Sequence, residues 1–183
     1  MHQRPQLKRS GRQTGKSMNF ENIDGIKSHG FQGFVAISPL QDSACSDVPR
    51  RPGIYLVVQA ADSPPKYLSK SIGGHFKKKD PTVSISELQG NWVDGPVVLY
   101  IGKAGGSGSS AMLRSRLLQY MQFGAGKPIG HWGGRYIWQI AGSGDLLVCW
   151  KPLEGEEPKA VESQLNGEFI QRYGKLPFAN LQR

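Results

Sequence analysis

The chain has 183 residues, a formal net charge of +9 and a sequence pI near 9.7. This length excludes two complete domains of ordinary size, and the charge favours a polyanionic partner such as nucleic acid or an acidic membrane surface. The two cysteines, Cys45 and Cys149, lack the spacing of a zinc site, and no apolar run has the length of a signal peptide or a membrane span. We therefore expect a soluble, cytoplasmic protein that does not enter membranes.

The first half of the chain begins with a basic segment. Residues 1–30 contain no acid in their first 20 positions and predict a flexible basic tail, followed by one domain over residues 31–183. The β-rich run at residues 53–59 predicts the first firm strand of that domain. Residues 60–95 are rich in Pro, Gly, Ser and Lys, and they predict a loop-like insertion.

The second half predicts further strands and two helices. Residues 96–102 form a second β-rich run, and a Gly/Ser cluster after it leads into a helix over about residues 111–123. Two β-like runs at 135–141 and 146–150 predict a hairpin, and a second helix ends near Tyr173. This order of elements predicts an α+β fold, with a small, mainly antiparallel sheet flanked by helices.

Each predicted helix carries one apolar stripe at helical spacing. The stripe of the first helix consists of Leu113, Leu117, Tyr120 and Met121. The stripe of the second helix consists of Val161, Leu165, Phe169 and Tyr173. Stripes of this kind predict that each helix packs one side against the sheet.

Two short motifs occupy the two predicted strands. They are Gly53-Ile54-Tyr55 and, followed at once by Lys103, Tyr100-Ile101-Gly102. In this order, with a helix directly after the second motif, the chain resembles the GIY-YIG endonucleases from about residue 52 to residue 180. The resemblance implies the fold of that family, hydrolysis of phosphodiester bonds and a divalent cation, Mg²⁺ or Mn²⁺. The long insertion between the motifs departs from the compact members of the family.

Residues downstream extend the resemblance. The family carries an arginine three residues after an apolar position of the helix, and its last helix supplies a metal-binding glutamate. The resemblance therefore implies five catalytic residues: Tyr55, Tyr100, Lys103, Arg116 and Glu162. Arg116 fits the spacing better than Arg114. Glu162 is the implied metal ligand, with Glu168 as the alternative, because Glu168 lies closer to the family's spacing from a terminal asparagine.

Elementary chemistry assigns a task to each group. Arg116 offers a fork of donors to non-bridging phosphate oxygens, and Glu162 offers a carboxylate to a hard cation that keeps several waters. The resemblance implies Tyr55 as general base and Tyr100 as a group that orients water or phosphate, although these roles are interchangeable. A tyrosine pKa near 10 requires a nearby cation for that base, and we expect Lys103 to supply it.

Four further residues are candidate substrate contacts. They are Tyr120, His131, Arg135 and Asn180. Asn180 belongs to a terminal Pro-x-x-Asn pattern that resembles the family. For His131, direct catalysis is the weaker hypothesis, and a glycine-rich loop beside packed tryptophans is the stronger one. Lys77, Lys78 and Lys79 either line a nucleic-acid groove or form a solvated basic loop.

The leading hypothesis is a metal-dependent endonuclease that acts on nucleic acid, with DNA favoured over RNA. The main alternative is a catalytically silent nucleic-acid-binding domain with the same fold. The joint presence of the five implied catalytic residues favours the endonuclease, because binding alone does not require them. The oligomeric state stays open.

Overall fold

The described chain consists of short helices and strands. The structure, a computed structural model, describes residues 16–60 and 64–181. In chain order its elements are α1 (Ile23–Lys27), β1 (Gln32–Ala36), α2 (Ile37–Asp42), β2 (Gly53–Val58), α3 (Ile85–Asn91), β3 (Val98–Ala104), α4 (Leu113–Gly124), two 3₁₀ helices (Arg135–Gln139 and Ser143–Asp145), β4 (Leu147–Pro152) and α5 (Pro158–Tyr173). Within this part of the chain, none of the helices combines the length and hydropathy that a membrane crossing requires.

Four strands of the described chain form one antiparallel sheet in the order β1-β4-β2-β3. β2 lies between β4 and β3, and every one of its residues is buried. β3 lies at the edge of the sheet. The predicted α+β class, with a small antiparallel sheet flanked by helices, is therefore confirmed.

The two faces of the sheet carry different helices. Successive side chains of a strand project to opposite faces, so Tyr55 and Val57 project to one face and Ile54 and Leu56 to the other. The face with Tyr55 packs against α4, and the face with Ile54 packs against α5. We call these the α4 face and the α5 face.

Both predicted helix stripes pack as expected. The four stripe residues of α4 are buried. On α5, Leu165 and Phe169 are buried, whereas Val161 and Tyr173 are half-buried. Pro158 begins α5, where its missing N–H costs nothing because the first helical turn leaves that group unpaired. The stripes therefore fix α4 and α5 on opposite faces of the sheet.

The predicted hairpin over residues 135–141 and 146–150 is wrong. Arg135–Gln139 is a 3₁₀ helix whose last four residues are buried, and only the second run is a strand. That strand, β4, pairs with β1 and β2 instead. The sequence misleads here because an apolar run that is buried on all sides has no periodicity that separates a strand from a tight helical turn.

The predicted insertion at 60–95 is more ordered, where the structure describes it, than its composition indicates. It contains α3, which Ser84 caps by accepting an N–H of the first helical turn at 3.1 Å. The buried Gln139 ties the segment to the domain, because its amide donates to Leu68 O at 3.1 Å and to Val83 O at 2.8 Å. The expected loop is therefore a packed segment.

The predicted basic tail lies outside the described residues as far as residue 15. Over residues 16–30 the prediction is wrong, because this segment is folded and contains α1. Phe20 packs edge-on against Phe169, with 5.1 Å between ring centroids, and the Met18 N–H donates to Glu168 at 3.0 Å. Both Met18 and Phe20 are buried in the core on the α5 face.

Candidate active site

The strand register brings the two sequence motifs side by side. Tyr55 lies opposite Gly102, and Val57 lies opposite Tyr100. Because partners across a ladder share a face, both tyrosines project to the α4 face. A Cβ at position 102 would lie 2.6 Å from the Tyr55 hydroxyl oxygen, well inside contact distance. The glycine of the second motif thus allows the Tyr55 ring to lean over the edge strand.

Tyr120 of α4 joins these residues in a cluster of three rings. The centroid of Tyr100 lies 5.9 Å from that of Tyr55 and 5.7 Å from that of Tyr120, and the Tyr55 and Tyr120 centroids are 6.3 Å apart. We call these residues the tyrosine cluster. Tyr55 is 1% exposed and Tyr120 is fully buried. The Tyr120 hydroxyl donates to Gly134 O at 2.8 Å in this closed arrangement, and its substrate contact stays a prediction.

Burial dominates the ionisation of Tyr55. It raises the pKa of the Tyr55 hydroxyl well above its ordinary value, and both the charge interaction and the hydrogen bond with Tyr100 raise this pKa further. Arg116 lowers the pKa, and Glu162 raises it. In the closed cluster Tyr55 is therefore a neutral phenol at pH 7, and it does not act as a phenolate base.

Arg116 lies beside Tyr55. Its charge acts on the pKa of both Tyr55 and His131. Arg116 occupies the first turn of α4, and the first two N–H groups of this helix donate to carbonyls of the segment before β2. The neighbouring Arg114 has another task, because its Nε donates to Val48 O at 2.9 Å. The structure therefore brings Arg116, and not Arg114, to the tyrosine cluster.

Glu162 is the acidic residue of α5 whose charge acts on Tyr55. It shares a side of this helix with the buried stripe residues, and its charge raises the pKa of Tyr55. Glu168 is engaged elsewhere, since its carboxylate accepts from the Met18 N–H at 3.0 Å and from a glutamine one turn earlier at 2.9 Å. Because β3 is the edge strand, groups from α4 and α5 can meet where Tyr55 leans over it. Glu162, and not Glu168, is thus the glutamate of α5 that acts on the pKa of Tyr55, and the choice between them as metal ligand stays a prediction.

Lys103 does not share a face with the tyrosines. It lies opposite Ile54 in the ladder, so its side chain leaves β3 on the α5 face. The expectation that Lys103 stabilises a Tyr55 phenolate disagrees with this register, because Tyr55 projects to the α4 face. Arg116 is the cation whose charge lowers the pKa of Tyr55.

A glycine-rich segment covers the tyrosine cluster. We call residues 125–134, which connect α4 to the first 3₁₀ helix, the site loop. A Cβ at Gly133 would lie 2.8 Å from the Tyr100 hydroxyl oxygen, and a Cβ at Gly134 would lie 2.6 Å from that of Tyr120. The site loop therefore lies directly on the cluster. No sequence signal predicts this cover, because glycine-rich connections usually run over the surface.

His131 of the site loop is buried against the cluster. Its ring stacks on Tyr120 with 4.6 Å between centroids, and it is 1% exposed. Neither ring nitrogen has a hydrogen-bond partner among the described residues. Burial, together with the charge of Arg116, lowers the pKa of His131 to about 3. His131 is therefore neutral at pH 7 and closed to a substrate in this arrangement.

Acidification is expected to destabilise the protein through His131. Its pKa falls from an ordinary 6.5 to about 3 on folding, so its stabilising contribution is complete above pH 6.5 and is lost as the pH falls toward 3. Each pH unit within this window costs about 1.4 kcal/mol. Urea denaturation between pH 7 and pH 4 should show a shallower loss of unfolding free energy in His131→Phe than in the wild type. Equal slopes would contradict the burial of neutral His131.

Arg135 is held between two aromatic rings at the end of the site loop. Its guanidinium carbon lies 4.9 Å from the ring centroid of Trp132 and 5.1 Å from that of Tyr136. Partial burial lowers the pKa of Arg135. These contacts orient a half-buried cation beside the site loop, and its substrate contact stays a prediction.

Asn180 has a structural task. Its amide oxygen accepts from the Ile101 N–H and its amide nitrogen donates to Ile101 O, both at 2.8 Å. The Ala179 N–H donates to Leu99 O, also at 2.8 Å. Residues 177–180 therefore pair with the outer edge of β3, which protects an otherwise open sheet edge. The predicted substrate contact of Asn180 stays a prediction beside this structural role.

Comparisons with known proteins find no family model, no curated protein and no solved structure that matches the chain. The resemblance to the GIY-YIG endonucleases therefore rests on the residues described above. Within the described ranges, no group of three or more His, Cys, Asp or Glu residues is placed to hold a metal ion. A hard cation at this site would have Glu162 as its candidate protein ligand, with waters as its remaining ligands.

Proposed function

We propose that the chain is a metal-dependent endonuclease that hydrolyses phosphodiester bonds, with DNA as the favoured substrate. One observation carries the proposal: Arg116 of α4 and Glu162 of α5 both act electrostatically on Tyr55 of β2. Packing alone does not call for a cation and a carboxylate beside buried tyrosines, because desolvating charged groups costs free energy. Perturbed groups gathered in this way are typical of catalytic sites.

These groups match the needs of phosphodiester hydrolysis. Arg116 would donate to the non-bridging phosphate oxygens, where negative charge grows in the transition state. Tyr55 and Tyr100, whose hydroxyls are hydrogen-bonded to each other, would orient the attacking water. Glu162 would hold Mg²⁺ or Mn²⁺, which when bound supplies Lewis-acid stabilisation of the leaving oxygen.

Catalysis by this site requires the site loop to move. With Tyr55 1% exposed, a phosphate cannot reach its hydroxyl. Displacement of residues 125–134 would admit the substrate and remove part of the burial that raises the pKa of Tyr55. Arg116 would then lower this pKa further. Tyr55 thereby gains the proton-accepting capacity that a general base needs.

Charge around the site favours a polyanionic substrate. Residues 95–144, which include β3, α4 and the site loop, contain no acid. The cations of this stretch are Lys103, Arg114, Arg116, Lys127 and Arg135. A field of one sign attracts nucleic acid and speeds its association.

Closure of the tyrosine cluster favours a second candidate function, that of a catalytically silent nucleic-acid-binding domain. A neutral, buried Tyr55 permits binding through the basic surface without cleavage. The position of Glu162 beside Tyr55 argues for the nuclease, because a carboxylate there would repel a bound phosphate unless a cation lies between them.

Plasmid cleavage separates the two candidates. Purified protein is incubated with supercoiled plasmid DNA in Mg²⁺ or in EDTA, beside Tyr55→Phe, Glu162→Gln and the matched control Glu168→Gln. We expect nicking that requires Mg²⁺, is lost in Tyr55→Phe and Glu162→Gln, and persists in Glu168→Gln. Wild-type protein that binds DNA but cuts neither DNA nor RNA would establish the silent domain. Activity kept in Glu162→Gln and lost in Glu168→Gln would reverse the metal assignment.

A further inference from the structure

The packed insertion contains a tight turn whose two central residues have an unusual backbone conformation. Phe76 and Lys79 form an antiparallel bridge, and the Lys79 N–H donates to Phe76 O at 3.0 Å. The two residues between them, Lys77 and Lys78, have φ values of 50° and 60°. Positive φ at both central residues identifies a two-residue type I′ turn. We call residues 74–80 the lysine hairpin.

The amino acids at the tip of this turn are unfavourable for its backbone conformation. Type I′ turns strongly prefer Asn-Gly, Asp-Gly or Gly-Gly, because a side chain is disfavoured at positive φ. Here both positions are lysine. Backbone strain of this kind persists where the surroundings enforce it, and it is concentrated at functional sites. Both strained lysines are exposed.

Little negative charge opposes these lysines. Residues 64–86 contain five lysines and a single acid, Asp80. The Asp80 carboxylate faces His75, with 3.4 Å between Oδ1 and Nε2. Lys77, Lys78 and Lys79 are all exposed. The hairpin therefore projects a concentrated positive charge into solvent.

The lysine hairpin is fixed next to the site loop. The Gly74 N–H donates to Phe123 O at 2.8 Å, and a Cβ at Gly74 would collide with the carbonyl of Lys127. A Cβ at Gly130 would lie 3.1 Å from the Phe76 ring. The hairpin thus packs closely on the site loop, one residue before His131. Phosphates that bind to the hairpin would lie beside the cover of the tyrosine cluster.

We propose that the lysine hairpin is a binding site for the phosphate backbone of duplex DNA and holds the substrate beside the site loop. Three observations support this proposal: the hairpin lies next to the site loop, it is positively charged, and lysine is unfavourable at both tip positions. The hairpin would contact the substrate of the proposed nuclease, and only the choice of DNA as its ligand rests on that proposed function. Such a contact concerns binding, so it can be tested without cleavage.

The test uses the full chain with Glu162→Gln, so that bound DNA is not cut. Binding to a labelled 20-base-pair duplex is measured by fluorescence anisotropy over a series of salt concentrations. The hairpin variant carries Lys77→Asn and Lys78→Gly, which restores the preferred tip of a type I′ turn. A charge-matched control carries Lys27→Gln and Lys175→Gln, two exposed lysines outside the hairpin.

Binding and stability should change in opposite directions. Each lost phosphate contact lowers the slope of log affinity against log salt by about 0.9, so the hairpin variant should lose about 1.8 from its slope. The control pair should keep the wild-type slope. Relief of the strained tip should raise the Tm of the hairpin variant by about 2 to 4 °C. A third variant, Lys77→Gln with Lys78→Gln, should show the same decrease in the slope of log affinity against log salt. Its Tm should not rise.

The outcomes separate this proposal from the proposed nuclease. An unchanged slope in both hairpin variants would overturn the proposed binding site. Wild-type protein that binds anionic lipid vesicles but not DNA would overturn it as well. A slope lost equally in the Lys27 and Lys175 control would show diffuse attraction instead of a site. If plasmid cleavage fails but the hairpin slope falls as expected, the nuclease is rejected and the DNA-binding site is kept.

Discussion

An Arg116→Ala variant is expected to cut DNA at least about 100-fold more slowly than the wild type. Arg116 is the cation whose charge acts on both Tyr55 and His131, and in the proposed mechanism it donates to the scissile phosphate. Removing a donor placed at developing negative charge raises the barrier of the chemical step. Single-turnover cleavage at saturating protein measures this step. The Tm of the variant should change little, because the hydrogen bond from its side chain to Gln119 is long at 3.4 Å.

Arg114→Ala provides the matched control. Arg114 lies two residues away and donates to Val48 O, a contact that stabilises the packing of α4. We expect this variant to lower Tm and to keep its cleavage rate per folded molecule. Arg116→Lys should stay slow, because an ammonium lacks the planar fork of donors. A slow Arg114→Ala beside a normal Arg116→Ala would contradict the assignment.

A Gly102→Ala variant is expected to lose about 3 kcal/mol of stability and most of its activity. The new Cβ would lie 2.6 Å from the Tyr55 hydroxyl oxygen. Tyr55 cannot move aside easily, because the rings of Tyr100 and Tyr120 pack against it. The strain therefore either displaces Tyr55 or separates β2 from β3. Urea denaturation measures the stability, and plasmid nicking measures the activity that remains.

Gly167→Ala makes the same chemical change but is expected to raise the stability instead of lowering it. Gly167 lies on the exposed side of α5, and a Cβ there meets no atom within 4 Å. Alanine is favoured over glycine within a helix by about 1 kcal/mol, so this variant should be slightly more stable than the wild type. If both variants were equally stable, the close approach of Tyr55 to β3 would be rejected.

Local patterns predicted the elements that build the site. The β-rich runs at β2 and β3 and the apolar stripes of α4 and α5 each depend on neighbours within one element. Such features are visible in the sequence because helix and strand periods fix which side chains share a side. The choice of Arg116 over Arg114 followed instead from the resemblance, which places an arginine three residues after an apolar position of the helix, and it stays a prediction.

Long-range packing was not predictable in the same way. Met18 and Phe20 are isolated apolar residues in a polar segment, and only the groove beside α5 explains their burial. β4 pairs with β1 and β2, which are distant in sequence, so the expected hairpin with residues 135–141 did not form. The α3 helix was missed because its short sequence is surrounded by Pro, Gly and Ser.

The site departs from expectation for related reasons. The face of Lys103 depends on the register between β2 and β3, which a sequence with a long insertion between its motifs leaves open. Burial of the tyrosine cluster depends on how the site loop packs, and this packing requires glycines that resemble an ordinary surface turn. The accessibility and ionisation of the candidate residues could therefore not be predicted from the spacing of the motifs.

The pairing of Asn180 with Ile101 has a consequence for how the protein is made. Residues 177–180 are synthesised after every strand of the described sheet, yet they occupy the outer edge of the strand that carries Tyr100. Until they have left the ribosome, the nascent chain exposes unpaired backbone groups of β3 to any other extended chain nearby. A chain that ends before residue 177 should therefore aggregate more readily than the full chain.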